Sequence, residues 1–364
     1  MKYSVIVPVF NRPDEVAELL ESLTMQSFTD FEVIIVEDGS KEPCETVCKQ
    51  YEKQLDIKYF MKENSGPGQS RNYGAARSEG EYLLILDSDV VLPTGYIAAI
   101  DEELQREPAD AFGGPDRAHE SFTDTQKAIS YSMTSFFTTG GIRGGKKKLD
   151  KFYPRSFNMG IRRDVYQELG GFSKMRFGDV YERLGGFSKM RFGEDIDFSI
   201  RIFKAGCSCR LFPKAWVWHK RRTDFRKFWR QVYNSGIARI NLYKKYPESL
   251  KLVHLLPMVF TVGCALLAFL FLLGILLFFI LPSGMMQAVG LGLSILALQP
   301  LILYSFLIFA DATSKNHNAK IGLLSVASAF IQLIGYGCGF IEAWWKRCVK
   351  AKDEFSAYQS NFYK

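Results

Sequence analysis

No Cys-x-x-Cys pair occurs in the 364 residues, and the seven cysteines stand at Cys44 and Cys48, Cys207 and Cys209, Cys264, Cys338 and Cys348. Neither a structural zinc site nor a disulfide framework is expected, in keeping with a reducing compartment. The N-terminus lacks the apolar core of a secretory signal. Met1-Lys2 leads directly into Tyr3-Ser4-Val5-Ile6-Val7-Pro8-Val9-Phe10, a β-branched stretch too short for one. The residues up to about 220 are therefore expected on the cytosolic side. Charged side chains are missing from Leu255 to Ala310 and again from Ile321 to Ile341. A membrane span takes about 20 apolar residues, and Pro282-Ser283-Gly284 divides the first run into two pieces of that length. Three transmembrane helices are predicted, at about 255–281, 285–310 and 321–343.

What charge there is gathers in front of those spans. The net charge is +7, and Lys214 to His254 holds eleven Lys or Arg against Asp224 and Glu248. A basic collar beside a membrane span favours the anionic inner leaflet and holds that end inside. Nucleic acid, the other partner that basic charge suggests, is not expected. The resulting division is a soluble domain at 1–222, basic juxtamembrane helices at 223–254, a membrane region at 255–345 and a basic tail at 346–364. Together these imply a multi-pass protein of the cytoplasmic (inner) membrane with its soluble domain in the cytosol. One tension remains in the pattern. If all three segments cross, Lys346-Arg347-Cys348-Val349-Lys350 lands outside, against the positive-inside rule; either the third segment is re-entrant or interfacial, or the rule is broken here.

In the soluble part, Val5–Val9, Val33–Val36 and Tyr82–Leu86 read as buried strands. Val16, Leu19, Leu20 and Leu23 recur at helical spacing between the first two, with Asp14 as the expected cap. A second helix is predicted from near Gly68 through Gln69–Ala76. Strand, helix, strand, helix indicates an α/β fold with a mainly parallel sheet, and such sheets bind ligands at the carboxyl ends of their strands. The polar residues fall at those ends: Asn11-Arg12, Glu37-Asp38-Gly39-Ser40, and Asp87-Ser88-Asp89. Side chains alternate along an extended chain, so Asp87 and Asp89 can point the same way. Two hard oxygen ligands suit a divalent cation, and that cation suits a diphosphate.

Taken in order, Ser4–Asn11, Val36–Ser40, Gly66-Pro67-Gly68-Gln69-Ser70-Arg71-Asn72, Asp87-Ser88-Asp89, Asn158-Met159-Gly160-Ile161-Arg162-Arg163 and Gly193-Glu194-Asp195-Ile196-Asp197 resemble the GT-A glycosyltransferases of family 2. The resemblance covers about residues 3–220. It implies a Rossmann-like GT-A domain, followed here by C-terminal transmembrane helices. It also implies a nucleotide-sugar site lined by Pro8, Val9, Asn11, Asp38, Arg71 and Asp87. Asp38 would accept from a uracil ring N–H, although the family often has Asp-Asp where this chain has Glu37-Asp38. Asp89 would hold Mn²⁺ or Mg²⁺ on the diphosphate, and His219, in Trp216-Val217-Trp218-His219, would complete that site. Glu194 and Asp195 open a helix, with Asp195 as the base that takes the acceptor hydroxyl's proton in an inverting transfer.

The implied donor is a nucleotide diphosphate sugar, UDP-linked, and the implied acceptor a lipid-linked or other membrane-associated saccharide in cell-surface polysaccharide synthesis. Alternatives are a polyprenyl-phosphate sugar synthase, a nucleotidyltransferase and a non-catalytic membrane-bound partner. A processive synthase is disfavoured, because Gln231-Val232-Tyr233-Asn234-Ser235 stands where such enzymes carry Gln-x-x-Arg-Trp. Two further features stand apart. Lys-rich Gly140–Lys148 has the composition of a loop that could close over a phosphate-bearing substrate. Val165–Asp179 is followed by a near copy, Val180–Glu194, altered only at Gln167 to Glu182, Glu168 to Arg183 and Asp179 to Glu194. One copy reads as an insertion expected to bulge outward and leave Asp195 in place.

Overall fold

The computed structural model describes residues 1–119, 121–139, 152–171, 193–220, 222–282 and 284–352. The Lys-rich loop and the outward bulge of the repeated segment lie outside them. The described chain forms two compact units, one of residues 1–119, 152–171 and 193–220, the other of residues 121–139, 222–282 and 284–352.

In chain order the first unit holds β1 (Tyr3–Val9), α1 (Pro13–Thr24), β2 (Phe31–Asp38), α2 (Glu45–Tyr51), β3 (Ile57–Lys62), α3 (Pro67–Ala75), β4 (Tyr82–Leu86), β5 (Val90–Val91), α4 (Tyr96–Arg106), β6 (Ala111–Gly113) and β7 (Asp116–Arg117). The second unit takes α5 (Asp124–Thr134) and α6 (Phe136–Thr139). The chain then returns to the first unit with β8 (Asn158–Arg162), α7 (Arg163–Glu168), α8 (Glu194–Lys204), β9 (Cys209–Leu211) and β10 (Val217–His219). The second unit continues with α9 (Phe225–Lys245), α10 (Leu256–Ile280), α11 (Met285–Asn316) and α12 (Ala319–Trp344).

Seven strands pair in the order β3-β2-β1-β4-β8-β6-β9. The β3-β2-β1-β4 half is parallel, with Val5 opposite both Val33 and Leu84. β8 runs antiparallel between β4 and β6. The central strands are apolar on both faces because both faces are covered. Val5, Val7 and Val9 of β1 pack with Leu19 of α1, Cys48 of α2 and Ile100 of α4. On the opposite face Ile6 packs with Ala75 of α3, Tyr166 of α7 and Phe198 of α8. The parallel strands thus deliver their carboxyl ends to one edge, as the α/β reading requires. A second sheet of three short strands, β5-β10-β7, sets His219 opposite Val90.

Two expectations need correction. Asp14 is not a cap: α1 begins one residue earlier, at Pro13, and the residue before it, Arg12, makes no side-chain capping bond. Proline suits the first helical position because its missing N–H has no partner there anyway, and Asp14 and Glu15 then face the positive end of the helix dipole. The soluble fold is also not continuous up to residue 222, since 121–139 belong with the later helices. In that second unit Ser132 and Ser328 share a hydroxyl hydrogen bond of 2.8 Å, and the Tyr131 hydroxyl donates to Asp311 at 2.6 Å. Among the described residues, three helices are long and apolar enough to cross a membrane, at Leu252–Ile280, Gln287–Asn316 and Ala319–Val349.

Candidate active site

The strand ends carry the site. At the end of β1 the chain turns through Asn11, whose φ of 53° lies in the left-handed region where asparagine is better tolerated than most residues. Its side-chain oxygen accepts from the Lys41 and Glu42 amides at 2.7 and 3.2 Å, and its own N–H donates to Ser40 Oγ at 2.7 Å. Ser40 in turn donates to Glu37, which also accepts from the Cys44 amide at 2.8 Å. Glu37 is fully buried. Its carboxylate knits the β1 and β2 end loops together through Ser40 and the Cys44 amide. Of the neighbouring predicted residues, Pro8 is half-buried and Val9 is buried in the hydrophobic core, so Val9 can offer a ligand only its backbone.

Asp38 ends β2 and is buried. Its two carboxylate oxygens accept from the Ser65 and Gly66 amides, both at 2.9 Å, and Lys62 Nζ sits on the first of them. Burial pushes the Asp38 carboxyl up, but Lys62 and the two amides outweigh it and hold the group below the usual carboxylate range. Each oxygen has two lone pairs, so the group can still accept a further N–H.

After β4, Asp87 and Asp89 converge with His219 from the end of β10. Ligand atoms of the three lie within 4.8 Å of one another. His219 Nε2 is 3.2 Å from Asp89 Oδ1, and the imidazole stacks on Phe157 with ring centroids 4.8 Å apart. Asp89 also meets Arg12 NH1 at 2.9 Å. Two carboxylates and an imidazole within that radius are a donor set that a small divalent cation such as Mn²⁺ fits, with open positions left for phosphate oxygens.

Arg71, on α3, is buried and links this cluster to the start of α8. Its NH2 donates to Asp87 Oδ1 at 2.8 Å and its NH1 to Glu194 Oε1 at 3.0 Å. Both terminal nitrogens therefore serve carboxylates of the site. Burial and the adjoining Asp195 charge push the Glu194 carboxyl up to about 7, against the pull of Arg71. Asp195 goes the other way. Burial alone would raise it, but Arg155, whose Nε donates to Oδ2 at 2.6 Å, holds its carboxyl below the ordinary range. The helix start that carries both acids is tied down by Ser199 Oγ, which donates to the Pro154 carbonyl at 2.6 Å.

Thus Asp87, Asp89 and His219 come together, Arg71 connects them to Glu194, and Asp195 follows on the same helical turn. Asp38, Asn11 and Pro8 stand at the ends of the neighbouring parallel strands. Sequence reasoning missed two residues, Arg12 and Arg155. Arg12 adjoins a predicted strand end, but nothing local points it at Asp89. Arg155, in Tyr153-Pro154-Arg155-Ser156-Phe157, belongs to no recognisable pattern.

Residues 4–170 match the family model "Glycosyl transferase family 2". Over 115 residues the chain is 34% identical to the GalNAc(5)-diNAcBac-PP-undecaprenol beta-1,3-glucosyltransferase of Campylobacter jejuni, which covers 31% of this chain and 37% of that protein. Over 93 residues it is 41% identical to the poly(ribitol-phosphate) beta-N-acetylglucosaminyltransferase TarS of Staphylococcus aureus, covering 24% and 16%. The chain therefore spans well under half the length of these curated relatives. Among solved structures, the mannosyltransferase PcManGT from Pyrobaculum calidifontis in complex with GDP-Man and Mn²⁺ aligns over 95% of this chain and 88% of its own, with a TM-score of 0.53 and 13% identity, a likeness of fold. With the mainly parallel sheet and the acids at its strand ends, the match identifies residues 4–170 as a glycosyl transferase family 2 domain.

Proposed function

We propose that this chain transfers a sugar, with inversion, from a UDP-linked donor to a lipid-linked saccharide at the cytoplasmic face of a membrane, in the synthesis of a surface polysaccharide. The observation that carries this reading is the bridge through Arg71, which hydrogen-bonds Asp87 of the Asp87–Asp89–His219 cluster on one side and Glu194, the neighbour of Asp195, on the other. A donor diphosphate belongs at the cluster and an acceptor hydroxyl at the pair.

Asp38, with Asn11 and the Pro8–Val9 backbone beside it, is positioned to take the nucleobase. Asp89, Asp87 and His219 would hold Mn²⁺ or Mg²⁺, which when bound neutralises charge on the departing diphosphate. Asp195, kept ionised by Arg155, takes the acceptor hydroxyl's proton as the oxygen attacks the anomeric carbon. Glu194 and Arg71 fix that carboxylate relative to the diphosphate subsite. A lipid-borne acceptor is supported by the three long apolar helices, by the basic stretch at Lys214–His254, and by the undecaprenol-linked substrate in the Campylobacter relative's name.

The test is nucleoside diphosphate release from a panel of nucleotide sugars, in detergent with Mn²⁺ and membrane-lipid extract. Release from one UDP-sugar, lost in both Asp89→Ala and Asp195→Asn, is the expected result. No release across the panel, or release that survives both substitutions, overturns the assignment.

A further inference from the structure

Three helices have the length and apolarity of membrane spans, yet they are exposed to very different degrees. Over the most apolar 18 residues of each, 6% of α10 and 17% of α11 is buried, against 44% of α12. α10 presents Val262, Leu266, Phe269, Leu272, Leu276 and Phe279 outward. From Ser328 to Ala343, no residue of α12 is exposed.

The contacts of α12 explain the difference. Near its start, Gly322 abuts Phe309 and Thr313 of α11; further on, Phe330 packs on Phe260 and Tyr304. Further still, Gly337 abuts Pro257 and Thr261 of α10, and the Thr261 hydroxyl donates to the Leu333 carbonyl at 3.3 Å. So α12 passes from one leg of the α10–α11 hairpin to the other, over about 22 Å at 1.5 Å per residue. On each leg these contacts stay at the foot, within 257–261 and 304–313. The stretches beyond the foot, 262–280 and 285–303, are each about 28 Å long on the same rise, close to the hydrocarbon thickness of about 30 Å.

The other side of α12 is covered by polar helices. α5 follows its first half, with Asp124 on Lys320 at 2.9 Å and Ser132 on Ser328. α9 follows its second half: Trp229 and Val232 lie on Gly335, Tyr233 on Gly339, and Gly236 on Tyr336 and Phe340. The Tyr233 hydroxyl donates to Glu342, which also pairs with Lys346. α9 exposes Arg226, Lys227 and Arg230 around the very turn that touches the middle of α12. Were α12 to span the bilayer, these cations would be carried to its centre, the most costly depth for a charge.

We infer that only α10 and α11 cross the membrane, and that α12 lies along the lipid interface at the foot of their hairpin, with α5 and α9 on its water side. The exposed Trp344 and Trp345, followed by Lys346, Arg347 and Lys350, make an interfacial anchor at its end. Lys315, Lys320 and the basic residues after α12 then share a side with the basic stretch at Lys214–His254, while the far side receives only the end of α10 and the start of α11, where residues 272–292 carry no charge. The positive-inside conflict disappears.

The test is sided labelling of the full-length chain in sealed membrane vesicles with a membrane-impermeant maleimide. Single cysteines would be placed by Lys53→Cys, Pro282→Cys, His317→Cys and Lys352→Cys in a background otherwise free of cysteine. Labelling of Lys53→Cys, His317→Cys and Lys352→Cys from one side, and of Pro282→Cys only from the other, is expected. Lys352→Cys labelling opposite His317→Cys would mean that α12 crosses, and overturns the inference. Pro282→Cys labelling on the same side as the rest would mean that the hairpin does not cross, as when a second copy of the chain covers it, and also overturns it. Should the cysteine-free chain fail to fold, protease protection of two epitopes in otherwise unaltered chains, one inserted after Pro282 and one appended after Lys364, gives the same decision. From the Lys53 side, cleavage after Lys364 with protection after Pro282 supports two spans, and any other pattern refutes them.

Discussion

Arg155 donates from Nε to Asp195 Oδ2 at 2.6 Å, closing a loop residue onto the carboxylate that opens α8. The two are brought together across 40 residues of sequence, and the pairing sets how Asp195 behaves. Burial favours the neutral acid; the guanidinium overrides it, so the carboxyl sits low and Asp195 is ionised through the neutral range. Activity that needs ionised Asp195 is present above that low value and lost only as pH falls through it. In Arg155→Ala, burial is opposed only by the more distant Arg71 charge and the Ile196 amide, and the acidic limb of kcat/KM moves to higher pH. A loss of about tenfold at pH 6, largely recovered by pH 8, corresponds to about 1.4 kcal/mol of lost stabilisation. Arg155→Lys, which keeps a charge but not the planar fork, lies between. An acidic limb unmoved in Arg155→Ala would show that Arg155 does not tune the base.

Glu194 gives a pH dependence of the opposite sense. Its folded value of about 7 lies above its ordinary value, so between roughly pH 4.5 and 7 the folded protein binds more protons than the unfolded chain. The contribution of Glu194 to stability is therefore fully present at the acidic end of that window and is lost as pH rises through 7. Glu194→Gln keeps an oxygen for Arg71 NH1 and removes the titration. Thermal unfolding from pH 5 to 8, compared between the wild type and Glu194→Gln, is expected to show the wild type losing more stability across the window. Parallel curves would contradict the assigned shift.

The divalent-cation set yields a ranked effect. Asp89 is buried and lies beside both Arg12 and His219, whereas His219 supplies one neutral ligand at the edge of the cluster. Mn²⁺ titrated into the full-length protein, followed by the loss of its free-ion electron paramagnetic resonance signal, should bind at one site. Asp89→Asn is expected to abolish that binding. His219→Gln is expected to weaken it by about 10–100-fold, the range found where a supporting group around a metal is lost. Equal binding by His219→Gln and the wild type would remove the histidine from the set.

How much of this was legible in the sequence depended on the range of the forces involved. β1, β2 and β4 were readable because a strand covered on both faces must be apolar throughout, as in Val5-Ile6-Val7 and Leu83-Leu84-Ile85. Asp87, Asp89 and the Glu194–Asp195 pair were readable because acids at a strand end or helix start carry a local signature. The identity of Arg71's partners was not, since Asp87 and Glu194 lie 16 and 123 residues from it and only the folded sheet brings them into reach. Arg155 gave no signal for the same reason. Nor did α5, a helix whose buried side includes Gln126, Ser130 and Ser132, so no apolar stripe marks it as part of a helical bundle. The third apolar segment illustrates the converse: length and composition match a span, and only the charged helices beside it argue otherwise.

The last prediction concerns a glycine in the family pattern Asn158-Met159-Gly160. Gly160 sits on β8 opposite Phe112 of β6, and a methyl group added there would lie 2.0 Å from the Phe112 ring. That ring cannot easily retreat, because it is stacked on Phe212 with centroids 4.5 Å apart and both are buried. Gly160→Ala should therefore destabilise the fold by about 1–3 kcal/mol, the usual cost of overpacking a filled core. Met159 and Ile161 point to the opposite face, so the damage is local to the Phe112 side. Phe112→Leu alone should also cost stability, by leaving space beside Phe212. Combined with Gly160→Ala, the smaller side chain makes room for the new methyl group, and the double variant should be more stable than the sum of the two single losses. Chemical unfolding of the four proteins measures that coupling directly, and strict additivity would mean that the Gly160–Phe112 contact is not what fixes glycine at this position.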